Sequence, residues 1–285
     1  MSPLRYPGAK RQLFDALRTV IDSNVPPPRL LVEPFCGGAT SALRLAGTGV
    51  VDHIILADAD PLVAAFWYVA AFDTTWLVNS MKEEQVTLER WDWWRFANPS
   101  SRRDRALKCL FLNRTTFSGI LHGRAGPLGG RAQTSPNKIN CRYGINRLER
   151  RIRAVGDLAN SGHLLDVWHC DWRTSLRRSP GFGGLTPNEI VVYLDPPYVK
   201  KAPKLYEWSF DSNEHRALAD VLTGSSEFRW LLSYDDVPSI RSLYSEHSHC
   251  TLRFVDYRYT AAGSTKRRSD IELLVTNYPD VPTEL

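Results

Sequence analysis

The chain has 285 residues, 43% hydrophobic and 24% charged, which reads as a soluble folded protein of one large α/β domain or a core with a smaller lobe. No stretch approaches eighteen apolar residues, and Met1 to Lys10 lacks the apolar core of a signal peptide, so neither a membrane span nor a leader is expected. Net charge is a modest +5, and the five cysteines (Cys36, Cys109, Cys141, Cys170 and Cys250) include no CxxC pair, which predicts a reducing, cytoplasmic setting without a zinc site.

Residues 4–11 form a polar loop with a Pro-Gly turn. A helix is predicted over 12–23, with Leu13, Leu17, Val20 and Ile21 on one face, and Pro26-Pro27-Pro28 ends it. A strand over 30–35 runs into the glycine turn Cys36-Gly37-Gly38-Ala39 and a helix over 40–46. A second strand over 50–57 leads to Asp58 and Asp60. Asp60 is placed to cap the next helix, with Pro61 as its first residue. Two strands, each followed by a helix, make the first half of a nucleotide-binding α/β unit.

The middle of the chain differs. Residues 62–118 read as mainly helical and carry Trp67, Trp76, Trp91, Trp93 and Trp94, mostly as core. Glycines interrupt 119–141, and a basic amphipathic helix covers 146–158. Residues 101–160 hold thirteen Lys and Arg against three acids, a segment charge of +10, while the other 225 residues sum to −5. A basic stretch on a near-neutral body fits a polyanion surface, and a solvated arginine-rich helix face is the ordinary alternative. We divide the chain into 1–70 plus 161–285 as the sheet domain and 71–160 as an inserted lobe. Strands resume at 164–170, ending in Asp171, and at 190–194. A helix over 211–222, capped by Asp211 or Ser212, leads to a strand over 228–233. Strands over 252–259 and 271–276 close the chain as an antiparallel hairpin whose tip carries Lys266, Arg267 and Arg268.

Chemistry concentrates where strands end. Asp195-Pro196-Pro197-Tyr198 follows the apolar run 190–194, at the carboxyl edge where open α/β sheets keep their sites. The two prolines restrict the turn. A carboxylate held beside a flat ring suits a planar substrate bearing an N–H group. Phe35-Cys36-Gly37-Gly38 lets backbone approach a ligand, and Asp58, twenty residues beyond Gly38, is placed to accept from ribose hydroxyls. The run lacks G-x-G-x-x-G, so a nucleoside without a pyrophosphate fits better, S-adenosylmethionine being such a ligand.

Together these features resemble the adenine-specific DNA methyltransferases of the DNA-adenine-methylase (D12) class. Tyr6-Pro7-Gly8-Ala9-Lys10 is similar to the family's opening motif, with Ala9 where a second glycine is usual. Phe35-Cys36-Gly37-Gly38 resembles its glycine motif, with Ala39 where another glycine is common. Asp58-Ala59-Asp60 resembles its acid motif, with Asp60 where Asn is frequent. Asn113-Arg114-Thr115-Thr116-Phe117-Ser118-Gly119 is similar to a segment of its lobe. Asp195-Pro196-Pro197-Tyr198 is identical to one form of its catalytic motif. The five stand in the family's order.

The resemblance implies a Rossmann-like α/β S-adenosylmethionine-dependent methyltransferase fold. Its mixed seven-stranded sheet would end in an antiparallel hairpin and carry an inserted, mainly helical, target-recognition lobe. Tyr6, Lys10, Phe35, Gly37, Gly38, Asp58 and Asp171 are expected around S-adenosylmethionine. Asp195, the Pro196 carbonyl and Tyr198 are expected to hold an adenine extruded from double-stranded DNA for methylation at N6. Lys138, Arg142, Arg147, Arg151, Lys266, Arg267 and Arg268 are expected on phosphates, and Arg114, Arg124 and Arg131 on phosphates or a guanine edge. A cognate restriction endonuclease is a candidate partner, and a membrane is not. Cytosine-N4 methylation of DNA, adenine-N6 methylation of RNA and a non-catalytic DNA-binding role stand as alternatives.

Overall fold

The computed structural model describes residues 2–5, 13–199, 210–224, 227–259 and 268–285. The expected first helix is α1, Leu13–Asp22, which buries Leu13, Leu17, Val20 and Ile21. Strand β1 is Leu30–Glu33 and stops before Pro34, which has no N–H for a ladder. Helix α2, Thr40–Gly47, follows the glycine turn. Strand β2 is His53–Asp58, three residues shorter than expected at its start, because a turn with Gly49 at φ 71° takes up the chain before it. Helix α3, Pro61–Phe72, opens as predicted, with Pro61 leading and the Asp60 carboxylate accepting from the Leu62 N–H at 2.8 Å.

The chain then leaves the sheet for α4 (Thr74–Glu83), α5 (Leu88–Phe96), α6 (Arg102–Thr115) and α7 (Ile145–Asn160). It returns through β3 (Leu164–His169), α8 (Trp172–Arg178), β4 (Ile190–Leu194), α9 (Ser212–Gly224), β5 (Arg229–Asp235), α10 (Pro238–Tyr244), β6 (Thr251–Tyr259) and β7 (Arg268–Thr276). The short helices α8 and α10 were not expected. Each is seven residues long, too short for an apolar period to show, and each starts on a local signal, the Asp171 cap or Pro238.

The strands form one seven-stranded sheet in the order β3-β2-β1-β4-β5-β7-β6. The five strands β3 to β5 in that order run parallel, and β7 enters antiparallel between β5 and β6. This is the expected mixed, Rossmann-like seven-stranded sheet closed by an antiparallel hairpin, with a helical lobe inserted between β2 and β3. Side-chain alternation divides the core. Leu31, Ile54, Leu56, Val191 and Leu231 face α1, α2 and α3, whereas Leu30, Val32, Ile55, Val192 and Leu232 face α8, α9 and α10. Each such side chain, fully buried, contributes about 1.5–3 kcal/mol.

The lobe has no separate core among the described residues. Trp67 and Phe66 of α3, Trp94 of α5, Phe111 of α6 and Leu148 of α7 join Leu31 and Leu56 of the sheet in one cluster. Helix α3 is buried nearly all round because it lies between sheet and lobe. Gly156 lets α7 approach closely, since a methyl group there would collide with the Thr74 side chain. The tryptophans expected in the core are buried at 67, 91 and 94, but Trp93 is 52% exposed. No single helix among the described residues is long and apolar enough to cross a membrane.

Candidate active site

Strand order reverses between β1 and β4. The first three strands run outward from that point one way, and β4, β5 and the hairpin run outward the other way. A crevice at such a reversal, outside the carboxyl ends of the strands, is where α/β sheets bind ligands. The glycine turn leaves β1 and the Asp195 turn leaves β4, and these two strands are hydrogen-bonded neighbours. Asp58 ends β2, on the other side of β1. Three motifs far apart in the sequence therefore meet at one edge.

At the ends of β1 and β2, Asp58 organises the glycine turn. One carboxylate oxygen accepts from the Gly37 N–H at 2.9 Å and the other from the Asp60 N–H at 2.9 Å. Gly37 sits at φ 41°, and its carbonyl accepts from the buried Trp67 indole N–H at 2.8 Å. Burial, with Asp60 close by, pushes the Asp58 carboxyl up to about 7 against those hydrogen bonds. The N-cap of α2 is Ala39, at φ 45°, which provides no side-chain cap. Uncapped N–H groups above a glycine turn, beside an acid with further lone pairs, offer donors and acceptors of the kind a nucleoside with a ribose diol can use. Phe35 presents its ring edge-on to Phe210, 5.7 Å away, and Phe210 also meets Trp172 and His215. Phe210 thus stands with Phe35.

Asp171 follows β3 on the same sheet edge. Its carboxylate caps α8, accepting from the Thr174 N–H at 2.9 Å. Burial acts to raise its pKa, but the Thr174 bonds, Arg173 and Arg177 outweigh it and hold the carboxyl below its usual range. Gly38 is buried in the turn. Tyr6 and Lys10 lie outside the described residues.

At the end of β4, Asp195 is partly buried, and its Oδ1 accepts from the Ser233 hydroxyl at 3.0 Å. Ser233 comes from β5, beside β4, and the Tyr193 hydroxyl lies 3.0 Å from it. Ser233 has one proton to give, so Tyr193 donates to Ser233 and Ser233 to Asp195. Glu33 ends β1 on the same face. Burial first, then Asp195, pushes its carboxyl well up, which favours the neutral acid and leaves the negative charge to its neighbour. Pro196 is buried, and the Tyr198 hydroxyl donates to Glu272 of β7 at 2.6 Å. Tyr198 is therefore a ring fixed by its far end, 9% exposed, with its centroid 6.2 Å from that of Tyr234. Ser233, Tyr193, Glu33 and Glu272 were not found from sequence, because strand register alone brings them to the turn.

In the lobe, Asn113 has a structural task. Its Oδ1 accepts from the Arg5 N–H and its Nδ2 donates to the Arg5 carbonyl, both at 2.7 Å, in the manner of a strand pair. The lobe thus grips the chain one residue before the Tyr6 to Lys10 motif. Phe117, next to Ser118 at φ 57°, is 65% exposed, a projecting ring that sequence reasoning passed over. His122 pairs with Asp60 at 2.7 Å, joining the lobe loop to the acid motif.

The basic residues divide. Arg124, Lys138, Arg142 and Arg147 are exposed, and Lys138 donates to the Gln133 carbonyl. Arg131 is exposed but gives its fork to Asp92 at 2.6 and 2.7 Å. Arg151 is half-buried, with Nη1 on the Ser2 carbonyl at 3.0 Å. Arg114 departs from expectation. It is 3% exposed in the last turn of α6 and donates to the Pro3 carbonyl, so it does not reach outward from a loop to a guanine edge. Arg268 begins β7, while Lys266 and Arg267 lie outside the described residues.

No family model and no curated protein matches the chain. Among solved structures it is similar to the rRNA methyltransferase AviRa of Streptomyces viridochromogenes, at 17% identity over 96% of this chain and 87% of that one, with a TM-score of 0.40. It is also similar to the precorrin-6y C5,15-methyltransferase of Geobacter metallireducens, at 6% identity over 95% of this chain and 92% of that one, with a TM-score of 0.35.

Proposed function

We propose that this protein is an S-adenosylmethionine-dependent methyltransferase that methylates N6 of an adenine extruded from double-stranded DNA. The observation that carries this reading is the placement of the Asp195 turn and the glycine turn on neighbouring strands at the point where strand order reverses. S-adenosylmethionine would supply the methyl group from its sulfonium, a strong electrophile, so no covalent enzyme intermediate is needed. Asp58, Phe35, Gly37 and Gly38 would hold its nucleoside, and Tyr6 and Lys10 belong to this proposal through their motif.

Adenine N6 is a weak nucleophile because its lone pair is delocalised into the ring. Asp195, fixed by Ser233, accepts one N6 hydrogen bond, and the Pro196 carbonyl accepts the other. Two acceptors draw the amino group toward tetrahedral geometry and free its lone pair. Placement and fixed dipoles then do the catalytic work, each such contact contributing about 3–4 kcal/mol by analogy with an oxyanion-hole donor. Asp195 takes the proton released after transfer. Tyr198 offers a fixed ring face to the base, and Phe117 stacks where the helix has been opened, each ring worth about 1–3 kcal/mol. Arg124, Arg142, Arg147 and the tip residues Lys266, Arg267 and Arg268 would grip phosphates. Cytosine N4 and adenine in RNA present the same amino chemistry to the turn, and a restriction endonuclease partner would follow only from the DNA reading.

One experiment separates these cases. The protein is incubated with labelled S-adenosylmethionine and, separately, duplex DNA and RNA of mixed sequence, and the products are digested to nucleosides. Label in N6-methyldeoxyadenosine supports the reading. Label only in RNA or in N4-methylcytosine moves the substrate, and retention of DNA with no label in any nucleoside removes the enzyme.

A further inference from the structure

Five arginines gather where the N-terminal segment meets the lobe. Arg5 comes from the segment, Arg114 from the end of α6, Arg142 from the loop before α7, and Arg147 and Arg151 from the first two turns of α7. Arg114 is the buried floor, Arg5 and Arg151 are half-buried, and Arg142 and Arg147 are exposed at the rim. Among the described residues, Arg5, Arg114, Arg142 and Arg147 form no ion pair with an acid. Nε of Arg114 and Nη1 of Arg5 are buried and have no hydrogen-bond partner. Helix α7 adds positive character, since its N-cap is Gly144, with no side-chain cap and no acid in the first turn.

Buried guanidinium N–H groups without acceptors are costly, and like charges in one place compound the cost. The effect is visible at Arg114. Burial, followed by Arg151, Arg5, Arg147 and Arg142, pulls its pKa down to about 9. The strongest charges acting on it are all cationic. Such a site is completed by an anion with several acceptor oxygens, which answers donors from more than one direction.

We infer that Arg5, Arg142, Arg147 and Arg151, over Arg114, form a seat for one phosphate group that bridges the N-terminal segment to the lobe. Filling it stabilises the junction that Asn113 already pins at Arg5. It rests on the methyltransferase reading only for the source of the phosphate, which is a nucleic-acid backbone under that reading and free phosphate otherwise.

The test compares the wild-type protein with an Arg142→Gln/Arg147→Gln double variant, both changes being at exposed positions. Thermal midpoints are measured in inorganic phosphate and in chloride at matched ionic strength. Each tenfold increase in phosphate above its dissociation constant should raise the wild-type midpoint by about 2–3 °C, with a clearly smaller rise in the variant. Equal rises in the two proteins, or none in either, would overturn the seat. A second arm measures the affinity of a short DNA duplex against salt. A slope reduced by about one per lost contact assigns the seat to backbone phosphate. An unchanged slope with the phosphate-dependent rise intact keeps the seat and assigns it to free phosphate. Neither arm reads methyl transfer, so the seat and the proposed activity can fail independently.

Discussion

At the scale of residues, the account turns on how Asp195 is held. Its bond from Ser233, itself bonded by Tyr193, fixes the carboxylate on the carboxyl edge of the sheet. Ser233→Ala removes that bond without touching substrate, so methyl transfer should slow by about tenfold, the equivalent of one lost bond of average strength. The fall should appear in kcat with KM little changed, and a raised KM with kcat unchanged would show that Ser233 acts on binding. Asp58 makes a separate prediction. Its folded carboxyl is raised to about 7, so between its ordinary 3.8 and about 7 the folded chain holds a proton that the unfolded chain has lost. Stability then declines as pH climbs through that window, and Glu33 acts in the same direction. Asp58→Asn should flatten the decline in denaturant midpoints measured across pH 4 to 7, and an unchanged profile would contradict the burial argument. The sequence revealed Asp58 and Asp195 because each directly follows an apolar run. It hid Ser233, 38 residues beyond Asp195, because only the pairing of β4 with β5 makes them neighbours.

At the scale of elements, the turn after α6 links the lobe to the N-terminal segment. Asn113 pairs with both backbone groups of Arg5, and Gly119, at φ 77°, lies so close that an added Cβ would sit 2.9 Å from the Arg5 carbonyl oxygen. Asn113→Ala leaves buried backbone groups unpaired and should cost about 1–3 kcal/mol of stability, read from denaturant midpoints. It should also weaken S-adenosylmethionine binding, because the released segment leads into Tyr6 to Lys10. Unaltered cofactor affinity in a destabilised variant would confine Asn113 to folding. Phe117→Ala is the complementary change. The ring is exposed, so stability should hold while duplex affinity falls by about 1–3 kcal/mol, measured by titration. Unchanged affinity would place that ring away from the nucleic acid. The helices and strands themselves were legible where apolar periods ran long, as in α1, α7 and the closing hairpin. Arg114 was not placed correctly, because charge pointed outward while its position on α6, among Phe111, Leu112 and Thr115, turned it inward.

At the scale of the molecule, two features make one machine. The sheet brings β1, β2 and β4 to a common edge, and the lobe shares its core with one face of that sheet. The lobe thereby packs on the sheet and holds Arg5, with exposed basic residues in its loop and on α7. Duplex affinity should fall by about tenfold or more between roughly 50 and 200 mM salt, and a flat response would remove the basic segment from binding. The sheet class was readable from strands and turns in order, whereas the fusion of lobe and sheet cores was not, since it depends on how α6 and α7 lie on α3. The measurement closest to the central claim is single-turnover transfer of labelled methyl groups to duplex DNA by the wild-type protein and Asp195→Ala, with duplex affinity determined for both. The account predicts a fall in rate of about a hundredfold or more with affinity nearly unchanged. Equal rates in the two proteins would contradict it.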